Sequence, residues 1–206
     1  MVEEPQQHRR LAAIMFTDMV GYSALSQKNE ALALELLNEH RKLSRERFAS
    51  HGGREIEAVG DGFFVECPSA LAAARCAVDI QRTLHDRNAS QAPDRQIQIR
   101  IGLHLGDVVA EDTRVHGDGV NIAARFEPLA EPGGICLSED LARQIQNKIE
   151  LPRPGLPRHL ELQAHCECQD ERSNRPSVSR HGIRAGHHLY ARRALGGVMP
   201  CGKTRS

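Results

Sequence analysis

Leu11-Ala12-Ala13-Ile14-Met15-Phe16-Thr17-Asp18 runs six consecutive apolar residues through one threonine into a carboxylate. Such a run reads as a strand buried on both faces, and an ionised carboxylate at its end is costly unless it is hydrated, paired or coordinated. A second aspartate, Asp61, is flanked by Gly60 and Gly62 between Arg54-Glu-Ile-Glu-Ala-Val and Phe63-Phe-Val-Glu-Cys, the pattern of a two-strand hairpin with a carboxylate at its tip. Two readings stand side by side. Each aspartate can be the first residue of an Asx-turn, or the two segments can converge on hard divalent cations such as Mg²⁺, which take carboxylate and carbonyl oxygens.

Working outward, Ala31 to Ser50 places Leu32, Leu36 and Leu43 on one helical stripe with Ala33 and Leu37 beside it, and Gly52-Gly53 ends it. Pro68-Ser69 opens a second helix, with Leu71, Ala74, Val78 and Leu84 inward, that runs to about Asn88. From Gln96 to Leu105, Ile97, Ile99, Ile101, Leu103 and Leu105 alternate with Gln98, Arg100 and His104, which predicts a strand. The resulting order, β-α-β-β-α-β, predicts an α+β fold of the ferredoxin-like arrangement, an open sheet covered by helices on one face.

The chain of 206 residues, 40% hydrophobic, is long enough for one ordinary core. Its formal charge of zero divides unevenly: residues 1–151 carry 17 basic and 23 acidic side chains, and residues 152–206 carry 10 and 4. The basic residues are scattered through a low-aromatic tail with no stacking pattern, which argues against nucleic acid as a partner. With no apolar run of membrane-spanning length and no hydrophobic segment in Met1-Val-Glu-Glu-Pro-Gln-Gln-His-Arg-Arg, a cytoplasmic protein without a membrane span is expected. Cys67, Cys76 and Cys136 lie in apolar surroundings and read as small core residues kept reduced.

A third segment, His116-Gly117-Asp118-Gly119-Val120-Asn121-Ile122-Ala123-Ala124-Arg125-Phe126-Glu127, leads from a glycine-rich turn into a short helix with Asn121 and Arg125 four apart on one face. An amide and a guanidinium so placed can clamp a sugar oxygen and a phosphate. The bland alternative is a surface ion pair from Arg125 to Glu127 or Glu131. His104 and Asp107 are assigned to packing and turn capping.

Together Ile14-Met-Phe-Thr-Asp-Met-Val-Gly-Tyr-Ser, Val59-Gly-Asp-Gly-Phe, Arg100-Ile-Gly-Leu-His-Leu-Gly-Asp, Gly117-Asp-Gly-Val-Asn-Ile-Ala-Ala-Arg and Glu131-Pro-Gly-Gly-Ile-Cys-Leu-Ser resemble, in order and spacing, the class III adenylate/guanylate (nucleotidyl) cyclase catalytic domain. The resemblance covers residues 10–151 and implies a head-to-tail homodimer with each active site between two chains. It implies that Asp18 and Asp61, with the Met19 carbonyl, bind two Mg²⁺ or Mn²⁺ ions. It further implies that Asn121 and Arg125, from the partner chain, orient the ribose and stabilise charge on the phosphate. The reaction implied turns a nucleoside triphosphate, ATP or GTP, into a 3′,5′-cyclic nucleotide and pyrophosphate for intracellular signalling.

The chain departs from the family pattern in two places. Positions that select the base in adenylate cyclases, by a lysine and an aspartate or threonine, hold Glu57 and Arg114. Glu57 can accept from guanine N1–H and the 2-amino group while Arg114 donates to O6, or the two can pair with each other across an unoccupied purine pocket. The second departure begins at Pro152, where apolar periodicity ceases and no lysine occurs between Lys148 and Lys203 to meet the triphosphate. Residues 1–9 are accordingly expected as an N-terminal extension, and residues 152–206 as an atypical, disordered basic tail in which the family's closing strands are lost or replaced. The abrupt loss of pattern suggests a frameshifted or relic reading frame. His165, Cys166, Cys168, His181, His187 and His188 do not have the spacing of a four-ligand zinc site. These departures support an alternative function, a catalytically degenerate module that dimerises or binds nucleotide without turnover.

Overall fold

The computed structural model describes residues 8–111, 114–146 and 148–149, together with the backbone of 162–169 and 176–182. The long apolar run forms β1 (His8–Met19), which begins two residues inside the expected extension. Both its faces are buried. Ala13, Met15 and Met19 join one hydrophobic cluster with Phe63 and Val65, while Ala12, Ile14 and Phe16 join a second with Phe64 and Val108. By strand alternation Asp18 falls on the second side, following Phe16.

A short helix, α1 (Tyr22–Lys28), precedes α2 (Glu30–Ser50). The break between them is Asn29, whose side-chain oxygen accepts from the Leu32 amide at 3.1 Å and caps α2. The face that α2 buries is Ala33, Leu36, Leu37, His40, Ser44 and Phe48. Leu32 and Leu43, expected at its centre, lie at its edge, because Phe48 and His40 are the side chains that pack on Phe63.

The hairpin consists of β2 (Arg54–Val59) and β3 (Gly62–Cys67), with a bulge between Glu55 and Glu57. Helix α3 (Ala70–Asn88) is capped by Ser69, which accepts from the Ala72 amide at 3.1 Å. The next strand, β4 (Ile99–Glu111), starts later than the alternation predicts. Asn88 holds Ile97 as loop instead, accepting from its amide at 2.9 Å and donating to its carbonyl at 2.7 Å. Ile99, Ile101 and Leu103 are wholly buried, each stabilising the fold by roughly 1.5–3 kcal/mol.

Beyond β4 the chain forms β5 (Arg114–His116), α4 (Asp118–Phe126), β6 (Ile135–Ser138) and α5 (Glu139–Ile145). In the tail, β7 (Leu162–Gln169) pairs parallel to β6, and β8 (Pro176–Gly182) pairs antiparallel to β7. These two segments correct the expectation of a tail without regular elements: backbone pairing to the free side of β6 does not require apolar alternation. The candidate zinc ligands of the tail lie outside the described side chains.

The sheet runs β2-β3-β1-β4-β6-β7-β8, with β5 paired to β4. Its first four strands, with α1–α2 and α3, reproduce the ferredoxin-like βαββαβ order. Residues of α2, α3 and α5 cover one face of the sheet. The other face is also partly covered, contrary to the one-sided expectation, because α4 seats Ala123 and Val120 on the second side of β1. Among the described residues no helix is long and apolar enough to cross a membrane.

Candidate active site

Asp18 is the penultimate residue of β1 and stands opposite Arg100 on β4. The pairing of Thr17 with Phe63 brings the start of β3 beside it. The turn from Val59 to Gly62 is pressed onto β1 so closely that a Cβ on Gly62 would lie 1.7 Å from the Thr17 carbonyl oxygen. Gly60 takes a left-handed backbone, φ 58°, which an L side chain rarely adopts. Two hydrogen bonds hold the turn in place. The buried Thr17 hydroxyl accepts from the Phe63 amide at 3.0 Å, and Arg41, reaching from α2, donates to the Gly60 carbonyl at 2.8 Å. Asp61 is thereby carried to Asp18.

Asp18, Asp61 and Arg100 act on one another electrostatically. Burial raises the Asp18 pKa, the Asp61 charge raises it further, and the Arg100 guanidinium opposes both. Arg100 approaches the Asp18 carboxylate at 3.8 Å. A third carboxylate belongs to the same region: Glu127, just past α4, is pushed up to about 7 by burial and by Asp18, with Arg100 opposing and Asp61 adding. Its Oε1 is buried without a hydrogen-bond partner. Read from sequence, Glu127 is only a possible surface partner of Arg125, and Arg100 only an outward residue of an alternating strand. The one local signal for either is Gly102, where a Cβ would stand 2.3 Å from the Glu127 amide nitrogen, so the chain after α4 lies directly on β4.

Hard oxygen donors with excess negative charge suit Mg²⁺ or Mn²⁺. Among the described residues no three His, Cys, Asp or Glu side chains are grouped closely enough to enclose a metal. Asp18 and Asp61 therefore fit a cation that completes its shell with water, a main-chain carbonyl or substrate phosphate, the habit of Mg²⁺. The Met19 side chain is buried, so only its main chain can take part.

Asn121 and Arg125 do not meet the aspartates within the chain's own core. Both are exposed on α4, whose Gly119, Ala123 and Phe126 face inward. Glu57 and Arg114 are exposed on β2 and β5, and no ion pair between them is seen among the described residues. His104 is buried with its ring stacked on Phe126 at 5.8 Å, in keeping with a packing role. A cavity of about 230 Å³ lined by Leu84, Asn88, Gln98 and Gly133 lies on the α3 side and contains none of these site residues.

Residues 4–156 match the family model of the adenylate and guanylate cyclase catalytic domain, and the chain belongs to that family. It is 40% identical over 144 residues to "Putative adenylate cyclase 3" of Rhizobium meliloti (strain 1021), a match covering 69% of this chain and 24% of that protein. It is 29% identical over 156 residues to human retinal guanylyl cyclase 2, covering 68% of this chain and 14% of that one. The chain thus spans about a quarter or less of the length of these relatives. Among solved structures it is similar to an adenylate/guanylate cyclase/hydrolase from Silicibacter pomeroyi, with 38% identity, TM-score 0.67, and coverage of 71% of this chain and 86% of that one.

Proposed function

We propose that the chain is a nucleotidyl cyclase core that converts ATP or GTP into a 3′,5′-cyclic nucleotide and pyrophosphate, at a site shared between two copies. One observation supports this reading: the Thr17–Phe63 pairing sets the Asp61 turn beside the end of β1 that carries Asp18, while Asn121 and Arg125 are exposed on α4. On this reading each chain supplies two half-sites that a partner completes. Asp18, Asp61 and the Met19 carbonyl would hold two Mg²⁺ or Mn²⁺ ions, which when bound supply Lewis acidity toward the 3′-hydroxyl and the leaving phosphates. From the partner, Asn121 would orient the ribose so that O3′ lies in line with the α-phosphorus, and Arg125 would stabilise charge developing on that phosphate. Glu57 and Arg114 present an acceptor and a donor of the polarity guanine requires, which favours GTP.

A module that binds nucleotide or dimerises without turnover is the second reading, favoured by the exchanged Glu57 and Arg114 and by the tail. Product formation from purified full-length protein with Mn²⁺ and ATP or GTP, followed by mass spectrometry, separates the two. The expected result is a cyclic product that Asp18→Asn abolishes while leaving the protein folded. A folded dimer that forms no product supports the second reading, and unchanged turnover in Asp18→Asn removes Asp18 from the metal site.

A further inference from the structure

We infer that Arg41 is a positioning residue for the metal site: carried on α2, its guanidinium fixes the Gly60 carbonyl and with it the place of Asp61 beside Asp18, and so sets the affinity for a divalent cation. Arg41 would act through the main chain of the turn, touching neither metal nor substrate. The inference deepens the reading above and rests on Asp61 being a metal ligand.

Three observations carry it. First, the turn has little of its own to hold it. A Cβ on Gly60 would meet nothing within 4 Å, so that side of the turn is open. The like charges of Asp18 and Asp61 act on each other across the site, and their repulsion favours drift of the turn away from β1 until a cation arrives. Two hydrogen bonds oppose that drift, one on either side of Asp61. The Phe63 amide donates to the Thr17 hydroxyl at 3.0 Å, and Nη2 of Arg41 donates to the Gly60 carbonyl at 2.8 Å. The second engages the residue directly before Asp61 and is charge-assisted, the stronger kind.

Second, the guanidinium reaches that carbonyl at a cost. Its Nε is buried with no hydrogen-bond partner, and an unmet buried donor is destabilising. The side chain sits where it reaches Gly60, not where its own donors are best met. Third, the root of the side chain is fixed relative to the hairpin. One helical turn further along α2, Arg45 donates to both Glu55 carboxylate oxygens at 2.8 Å and lies 5.3 Å from the centre of the Phe63 ring. His40 and Phe48 pack on the same ring, with centroids 5.6 and 5.2 Å away. Helix α2 and the stem of the hairpin thus form one body, from which Arg41 reaches the tip at a set length.

Charge and position predict opposite signs. A guanidinium near a cation site repels the cation, so on charge alone its removal tightens binding. On position its removal frees the turn and weakens binding.

The test is Mn²⁺ binding to the full-length protein by titration calorimetry, with no nucleotide present. Weaker binding by Asp61→Asn than by wild type secures the underlying reading; equal binding removes that reading and this inference with it. Given that result, Arg41→Met is expected to bind Mn²⁺ about tenfold more weakly than wild type, the scale of one charge-assisted hydrogen bond. Arg41→Lys, which keeps a charge and a donor, is expected to recover part of that loss. In an Asp61→Asn background Arg41→Met should change binding less than about twofold, because the two residues act through one contact. Metal-free Arg41→Met is also expected to exchange the Phe63 amide proton several-fold faster than wild type. Arg41→Gln, too short to reach Gly60, replaces Arg41→Met if that protein does not fold, with the same expectations. Binding by Arg41→Met as tight as wild type or tighter, equal weakening with and without Asp61, or unchanged exchange at Phe63 overturns the positioning role.

Discussion

His40 is wholly buried on α2, its ring 5.6 Å from that of Phe63, with neither ring nitrogen hydrogen bonded. Burial, aided by the charge of Arg41, holds its pKa down at about 4. The sign follows from linkage: the unfolded chain takes up the proton near pH 6.5 and the folded chain only near 4, so stability falls as pH drops through that window. The full loss is about 3 kcal/mol. His40→Leu removes the proton site at similar volume, and the stability difference between pH 7 and pH 4.5 in urea unfolding is expected to shrink by about 2 kcal/mol. Parallel pH dependence in the two proteins would show that His40 is not the cause. Legibility at this scale depended on how local the physics is. Asp18 and Asp61 could be read because the apolar run and the flanking glycines are adjacent in sequence. Glu127 could not, because its environment is made by Asp18 and Arg100, brought to it only by the fold. His40 sat on a helix whose leucines drew attention to a neighbouring stripe.

Among elements, the hairpin's docking onto β1 decides whether two carboxylates become one site. Gly62 is its closest point, and the atom opposing an added Cβ is main chain, which cannot swing aside. Gly62→Ala is therefore expected to push the turn off β1, costing about 1–3 kcal/mol, and to reduce any Mn²⁺-dependent turnover more than tenfold. Thermal unfolding and product assay check this together; an alanine protein with wild-type midpoint and turnover would show that the close approach is dispensable. The hairpin, α3 and the central strand were all legible from glycine placement, the Ser69 cap and period-two alternation. Their ends were less so. Helix α1, which buries no residue, left no apolar stripe to read, and Asn88 kept Ile97 out of a strand whose alternation it shares. The Asn88 bonds run from side chain to main chain, and such bonds leave no trace in a hydrophobic pattern. The pairing of β7 and β8 was illegible for a related reason, since it extends the sheet through backbone groups in segments without apolar alternation.

At the scale of the molecule, the βαββαβ core follows from the order of apolar runs, and family membership from five segments in the right sequence. In the function proposed above the site is joined only between two chains, with Asp18 and Asp61 from one and the exposed Asn121 and Arg125 of α4 from the other. Mixed dimers should then behave in a specific way. Asp18→Asn and Arg125→Ala should each be inactive alone; after mixing and subunit exchange, each heterodimer holds one site with both halves intact and one with both broken. Assayed for cyclic nucleotide with Mn²⁺ and GTP or ATP, the mixture should recover up to about a quarter of wild-type turnover per total protein, as random pairing in a twofold dimer requires. A mixture as inactive as its two components, with exchange demonstrated, would contradict a site shared between chains.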